Sequence, residues 1–237
     1  MNIYGDNCSC FRRFHFILHL HCFHNHDAGT GFNFLPRFDE NANHSAGHSS
    51  GNLRRTVMVT SLQAVSGAGR QGGVLALDVV DNVIPFIPGE EEKVERETKK
   101  ILGHWGEPAP FAVSCTCTRV NVTDGHLEAV FVGTERPVDA GTASAAMERF
   151  AIDGLKGLPS APDRLLHVTS DPFRPQPRRD RNAGDGMTVT VGRVRDEPAL
   201  KGVKYVVLSH NTKLGAGKGA VLLAEWLTRE AYVERVT

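Results

Sequence analysis

The chain has 237 residues, with 27 basic and 27 acidic side chains and a formal net charge of zero. That balance gives no electrostatic case for nucleic acid or an anionic membrane, and no apolar stretch approaches the roughly 20 residues of a bilayer span. Five cysteines, an odd number without a secretory signal, argue against a disulfide framework and for a reducing, cytoplasmic setting.

Residues 1–52 differ from the rest. They hold seven of the eleven histidines, among them His15 and His19, and three of the cysteines, Cys8, Cys10 and Cys22. The Asn, His, Ser and Gly of residues 41–52 bury too little apolar surface to order the backbone. His15 and His19 have the spacing of one helical face, but no Cys-x-x-Cys pair accompanies them, so no metal site is expected. The segment reads as an atypical, disordered leader, with one ordered domain expected over residues 53–237.

Thr56 to Gln63 alternates as a strand and runs into Ser66-Gly67-Ala68-Gly69, where glycine lets backbone approach a ligand. Pro85 and Pro88 keep residues 80–89 irregular. They feed a helix from Glu90 to Leu102, opened by Glu90, Glu91 and Glu92 and closed by Lys99 and Lys100, as the helix dipole favours. Glu90 and Lys93 share a side of it; a solvated ion pair is the simplest reading of the two. Phe111 to Val122 and Leu127 to Val132 are β-rich runs flanking Thr123-Asp124-Gly125, which predicts a hairpin turn or a bulge. The break resets strand parity, so Arg119 and His126 can face one space. Arginine suits a carboxylate and histidine moves protons near neutral pH, although from this window alone a surface arginine and a turn-capping histidine are the simpler reading.

Further along, Ser144 to Lys156 reads as an amphipathic helix, Leu165 to Thr169 as a short strand, and residues 171–185 as an extended, charged loop. Met187 to Val194 and Tyr205 to Ser209 are strands. Gly215 to Gly219 reads as a glycine-rich turn before a last helix, Ala220 to Arg229, and such a turn is a candidate anion site. The mix predicts an α+β domain, its mixed, mostly antiparallel sheet covered by helices on one face.

Several stretches resemble aspartate-semialdehyde dehydrogenase of the fungal and archaeal branch: Ser61 to Gly69, Asp81 to Pro85, Gly89 to Leu102, Arg119 to His126, Arg174 to Arg178, Asp185 to Met187, Val191 to Arg193 and Leu208 to Thr212. The resemblance implies the family's glyceraldehyde-phosphate-dehydrogenase-like C-terminal domain, which carries catalysis and dimerisation, and an NADP-dependent, phosphorylating activity in aspartate-family amino-acid biosynthesis. By the same resemblance His126 is the acid/base, Arg119 binds the substrate carboxylate and Glu90 its amino group. Lys93 binds phosphate, Gln63 orients the substrate, and Ser66 and Gly67 touch the cofactor. The implied ligands are aspartate semialdehyde, phosphate and NADP, and the implied assembly is a homodimer or larger. The family's dinucleotide-binding fingerprint does not occur in this sequence. Its Asn-Cys-Ser/Thr nucleophile motif has only the echo Asn7-Cys8-Ser9, too far from Ser66, so Cys8 is not expected to be the nucleophile. The expectation is a truncated form with impaired activity, and the alternative is a non-catalytic dimerisation partner built on the same domain.

Overall fold

The structure, a computed structural model, describes residues 54–68, 76–102 and 107–231. The expected leader, with Cys8 and the His15–His19 pair, lies outside the described residues. Among the described residues six strands form one mixed sheet: β1 (Arg54–Gln63), β2 (Ala112–Arg119), β3 (His126–Thr134), β4 (Leu166–Thr169), β5 (Val189–Glu197) and β6 (Gly202–Ser209). Their spatial order is β2-β1-β3-β6-β5-β4. The β1/β2 and β4/β5 pairs are parallel and the other three antiparallel, so the expected α+β architecture holds.

The predicted β2–β3 hairpin does not form. Strand β1 lies between β2 and β3, pairing parallel to one and antiparallel to the other. Thr123-Asp124-Gly125 does turn the chain, with Gly125 at φ 95°, but it directs β3 past β2 to the far side of β1. A turn signal is local, whereas the choice of strand partner depends on contacts remote in sequence.

Register makes one face of the sheet apolar. Val57 and Val59 of β1 lie beside Cys115 and Cys117 of β2, Val130 and Val132 of β3, Val203 and Tyr205 of β6, and Val189 and Val191 of β5, all buried in a common core. Helix α1 (Glu90–Leu102) packs on β2 and contributes Val94 to that core. Helix α2 (Ala140–Glu148) packs on β4, β5 and β6 with Ala143 and Met147. On the opposite face Met58, Thr60, Ser114 and Thr116 are exposed.

Two helices depart from expectation. The helix predicted over Ser144 to Lys156 begins at Ala140 and ends at Glu148, because the Asp139 carboxylate caps the Thr142 N–H and brings the start forward; Leu155 belongs to a separate 3₁₀ turn, Asp153–Leu155. The predicted glycine-rich turn at Gly215 to Gly219 is helical. A π-helical stretch, Lys213–Gly217, runs directly into α3 (Lys218–Arg229). Lys218 and Lys213 are both engaged by the Asp185 carboxylate, so this segment is not an open anion-binding loop. The charged loop is tied internally as well, with Arg174 paired to Asp180.

Candidate active site

The sheet register brings three predicted residues to one end of the buried face. Gln63 closes β1 beside Arg119, which closes the parallel β2. Because β3 is antiparallel to β1, it begins at that same end, with Leu127 opposite Leu62 and His126 next to Gln63. The residues before α1 complete the arrangement. Ile84 forms a single bridge with Arg119 through two backbone hydrogen bonds, of 2.8 and 3.0 Å. That bridge fixes where the chain enters α1, and so places Glu90 beside Arg119.

Arg119 is 4% exposed, so it is not the surface arginine that the window alone favours, and His126 is buried at 1% exposure. The Arg119 Nη1 donates to the Ala64 carbonyl at 2.7 Å, and the Ala64 N–H donates to His126 Nδ1 at 3.1 Å. An amide N–H can only donate, so Nδ1 is an acceptor and the neutral ring carries its proton on Nε2. Gly67 stands against both side chains: a Cβ there would lie 3.0 Å from His126 Cε1 and 3.1 Å from Arg119 Nη1. Only a bare backbone fits without displacing one of them.

Glu90 and Lys93 are buried, not the solvated pair the spacing suggests. Burial raises the Glu90 carboxyl above its usual range, against the pull of Lys93, a hydrogen bond from Gln63 and the charge of Arg119. Burial lowers Lys93, opposed by Glu97 and Glu90, and Glu97 Oε1 lies 4.0 Å from its ammonium. Arg119 is likewise lowered by burial, and Glu90 opposes this. Among the described residues Glu90 Oε1 and Arg119 Nε have no hydrogen-bond partner. A buried carboxylate oxygen and a buried guanidinium N–H with capacity to spare are costly in a finished core. One is an acceptor and the other a donor, each with hydrogen-bonding capacity that the described residues leave unused.

Ser66 and Gly67 are half-buried. The Val65 and Ser66 amides donate to the Val122 and Thr123 carbonyls, fastening this loop to the turn before β3. Sequence reasoning missed Ala64, whose contribution is entirely backbone and leaves no signal in residue type. It also gave no role to Asn211, although Leu208 to Thr212 stood out as a motif. Asn211 is buried and bridges Gly125 to Ser66.

The two described cysteines are structural. Cys115 and Cys117 are buried with their sulfurs 3.5 Å apart, and the hydrogen bond to Cys117 together with burial pushes the Cys115 thiol far up. A thiol held protonated is a poor nucleophile. Among the described residues no group of three or more His, Cys, Asp or Glu side chains is placed to hold a metal ion, and no helix is long and apolar enough to cross a membrane.

Residues 48–214 match the family model described as semialdehyde dehydrogenase, dimerisation domain. The chain is 48% identical over 184 residues to aspartate-semialdehyde dehydrogenase of Archaeoglobus fulgidus, an alignment covering 76% of this chain and 52% of that protein. Against the Saccharomyces cerevisiae enzyme of the same name it is 45% identical over 180 residues, covering 71% and 49%. The crystal structure of aspartate semialdehyde dehydrogenase with NADP from Candida albicans superposes with a TM-score of 0.65 at 39% identity, over 76% of this chain and 52% of that one. The chain thus spans about half the length of the curated relatives it matches.

Proposed function

The chain belongs to the aspartate-semialdehyde dehydrogenase family through its dimerisation domain, and on that premise we propose that it supplies the substrate-binding and proton-handling half of that enzyme's active site. The observation that carries this reading is the pair of buried, unpartnered atoms, Glu90 Oε1 and Arg119 Nε, beside an imidazole fixed by Ala64. Aspartate semialdehyde carries one carboxylate and one ammonium. Arg119 takes the carboxylate, Glu90 takes the ammonium, and Gln63 holds Glu90 in place and orients the chain of the substrate. With both substituents of the substrate's α-carbon held, the aldehyde at the opposite end is directed toward His126.

His126 acts through Nε2. With Nδ1 occupied by the Ala64 N–H, the Nε2–H donates to the carbonyl oxygen as negative charge develops there, and gives up or recovers a proton as that charge grows or collapses. Lys93 supplies a point charge for phosphate. The half-buried Ser66 and Gly67 would hold the reactive end of NADP, since Gly67 has no side chain to stand between that end and His126. NADP, when bound, exchanges hydride with the substrate carbon. The thiol that carries the acyl group is neither Cys115 nor Cys117.

Calorimetric titration of the purified chain with aspartate semialdehyde tests this reading. Binding lost in Arg119→Leu and in Glu90→Ala supports it; equal binding by all three proteins, or none by the unsubstituted chain, rejects it. NADPH-linked turnover with phosphate then measures how complete the catalytic apparatus is.

A second reading is a pairing subunit, favoured by the exposed Met58, Thr60, Ser114 and Thr116 on the open face of β1 and β2. A chain that sediments as a monomer at every concentration removes it.

A further inference from the structure

The segment after β6 has no part in the chemistry above, yet it grips the turn that leads into His126. Asn211 Oδ1 accepts from the Gly125 N–H at 2.9 Å, and its Nδ2 donates to Ser66 Oγ at 2.9 Å. Gly125 precedes His126 in the chain. Ser66 precedes Gly67, the residue pressed against the imidazole. One buried carboxamide therefore joins the strand entry that carries His126 to the loop that forms its wall. Thr212 Oγ1 adds a contact of 3.3 Å to Asp124 Oδ1 in the same turn.

We propose that Asn211 is a positioning residue for His126, holding the imidazole against Gly67 by fixing Gly125 on one side and Ser66 on the other. The backbone bonds of Val65 and Ser66 fasten the loop to Val122 and Thr123, short of the residue that precedes His126. The carboxamide spans the remaining distance. Its two ends are chemically distinct: the oxygen meets a backbone donor and the nitrogen meets a hydroxyl. A leucine there keeps the volume and loses both bonds, so packing and positioning are separable at this site.

The catalytic importance of this positioning rests on the role given to His126, but the positioning itself can be read without turnover. Nitrogen-15 histidine spectra of the full chain, with His126 identified by its loss in His126→Asn, report the ring tautomer directly. The unsubstituted chain is expected to show one Nε2–H tautomer. Asn211→Leu is expected to mix the two tautomers. Asn211→Asp retains an acceptor for Gly125 and accepts the Ser66 hydroxyl proton, so it is expected to restore the single form. An unchanged His126 spectrum in Asn211→Leu overturns the proposal. Should that variant fail to fold, Ser66→Ala removes one arm at a half-buried position; partial tautomer mixing supports the proposal and an unchanged ring overturns it. Where NADPH-linked turnover is measurable, Asn211→Leu is expected to lower kcat roughly tenfold to a hundredfold with KM little changed. An inactive unsubstituted chain whose His126 tautomer still depends on Asn211 sinks the catalytic reading and leaves the positioning intact.

Discussion

Arg119 and His126 are fastened to opposite ends of one residue: the Ala64 carbonyl accepts from Arg119 at 2.7 Å and the Ala64 N–H donates to His126 at 3.1 Å. The separation between the Arg119 guanidinium and the His126 ring is therefore set by a single stretch of backbone. That backbone is anchored on both sides. Gln63, just before it, sits in the β1–β2 ladder, and Val65, just after it, bonds to Val122. Two functional groups from different strands move together because they share one attachment.

Gly67 is the point at which this arrangement is most easily disturbed. In Gly67→Ala the new methyl would sit 3.0 Å from the His126 ring and 3.1 Å from Arg119, so one or both must shift by a few tenths of an ångström. The position is only half-buried, so thermal stability is expected to change little. The Kd for aspartate semialdehyde is expected to rise roughly tenfold, which corresponds to about 1.4 kcal/mol. Calorimetry beside a melting curve separates the two quantities, and unchanged affinity would free Gly67 of any role in the site.

Glu90 predicts a pH signature with opposite signs for stability and binding. Its folded value is raised above the ordinary 4.5, chiefly by burial, so the folded state holds that proton more tightly than the unfolded chain does. Its ionisation therefore costs stability, and the cost grows as pH rises from 4.5 through the folded value and is fully present above it. Glu90→Gln is expected to raise Tm above the folded value, with the gain fading to nothing below pH 4.5. The same substitution is expected to weaken substrate binding, because it removes the charge facing the ammonium. A Tm difference independent of pH would show that the carboxyl is not strained by burial.

Much of this site was legible and its surroundings less so. The helix from Glu90 to Leu102 matches the sequence reading because its ends carry the charges that a helix dipole selects. The strand alternation of β1 was equally plain. The pairing of β2 and β3 was misjudged, since Thr123-Asp124-Gly125 announces a turn but cannot say that β1 will lie between the runs it joins. Asp139 was available as an N-cap and went unread, which displaced the start of α2. The family resemblance named Arg119, Glu90 and His126. The common attachment of Arg119 and His126 to Ala64 was invisible, because a backbone amide contributes the same two groups whatever side chain it bears.

Cys115 and Cys117 should resist modification in the native chain. Both are buried, and hydrogen bonding and desolvation push the Cys115 thiol far above its usual range. Iodoacetamide at mildly alkaline pH is expected to leave the two unlabelled until the chain is denatured, as peptide mass spectrometry would report. Native-state labelling of either at the rate of a free thiol would reopen the assignment of the nucleophile to β2.

The π-helical entry into α3 makes a prediction far from the chemistry. Gly219 is buried, and a Cβ built on it would overlap the Leu214 carbonyl oxygen. The widened turn at Lys213–Gly217 brings that oxygen across the helix surface, so glycine is required here by close approach rather than by a left-handed φ. Alanine normally favours a helix interior over glycine by about 1 kcal/mol. The steric cost of overpacking, roughly 1–3 kcal/mol, opposes that preference and is expected to exceed it. Gly219→Ala should therefore lower stability in a denaturant titration, whereas Gly217→Ala, whose Cβ would come no nearer than 3.8 Å to the Thr212 carbonyl oxygen, should not. If Gly219→Ala stabilises the chain, the segment is an ordinary α-helix and the five-residue spacing between Leu214 and Gly219 does not exist in solution.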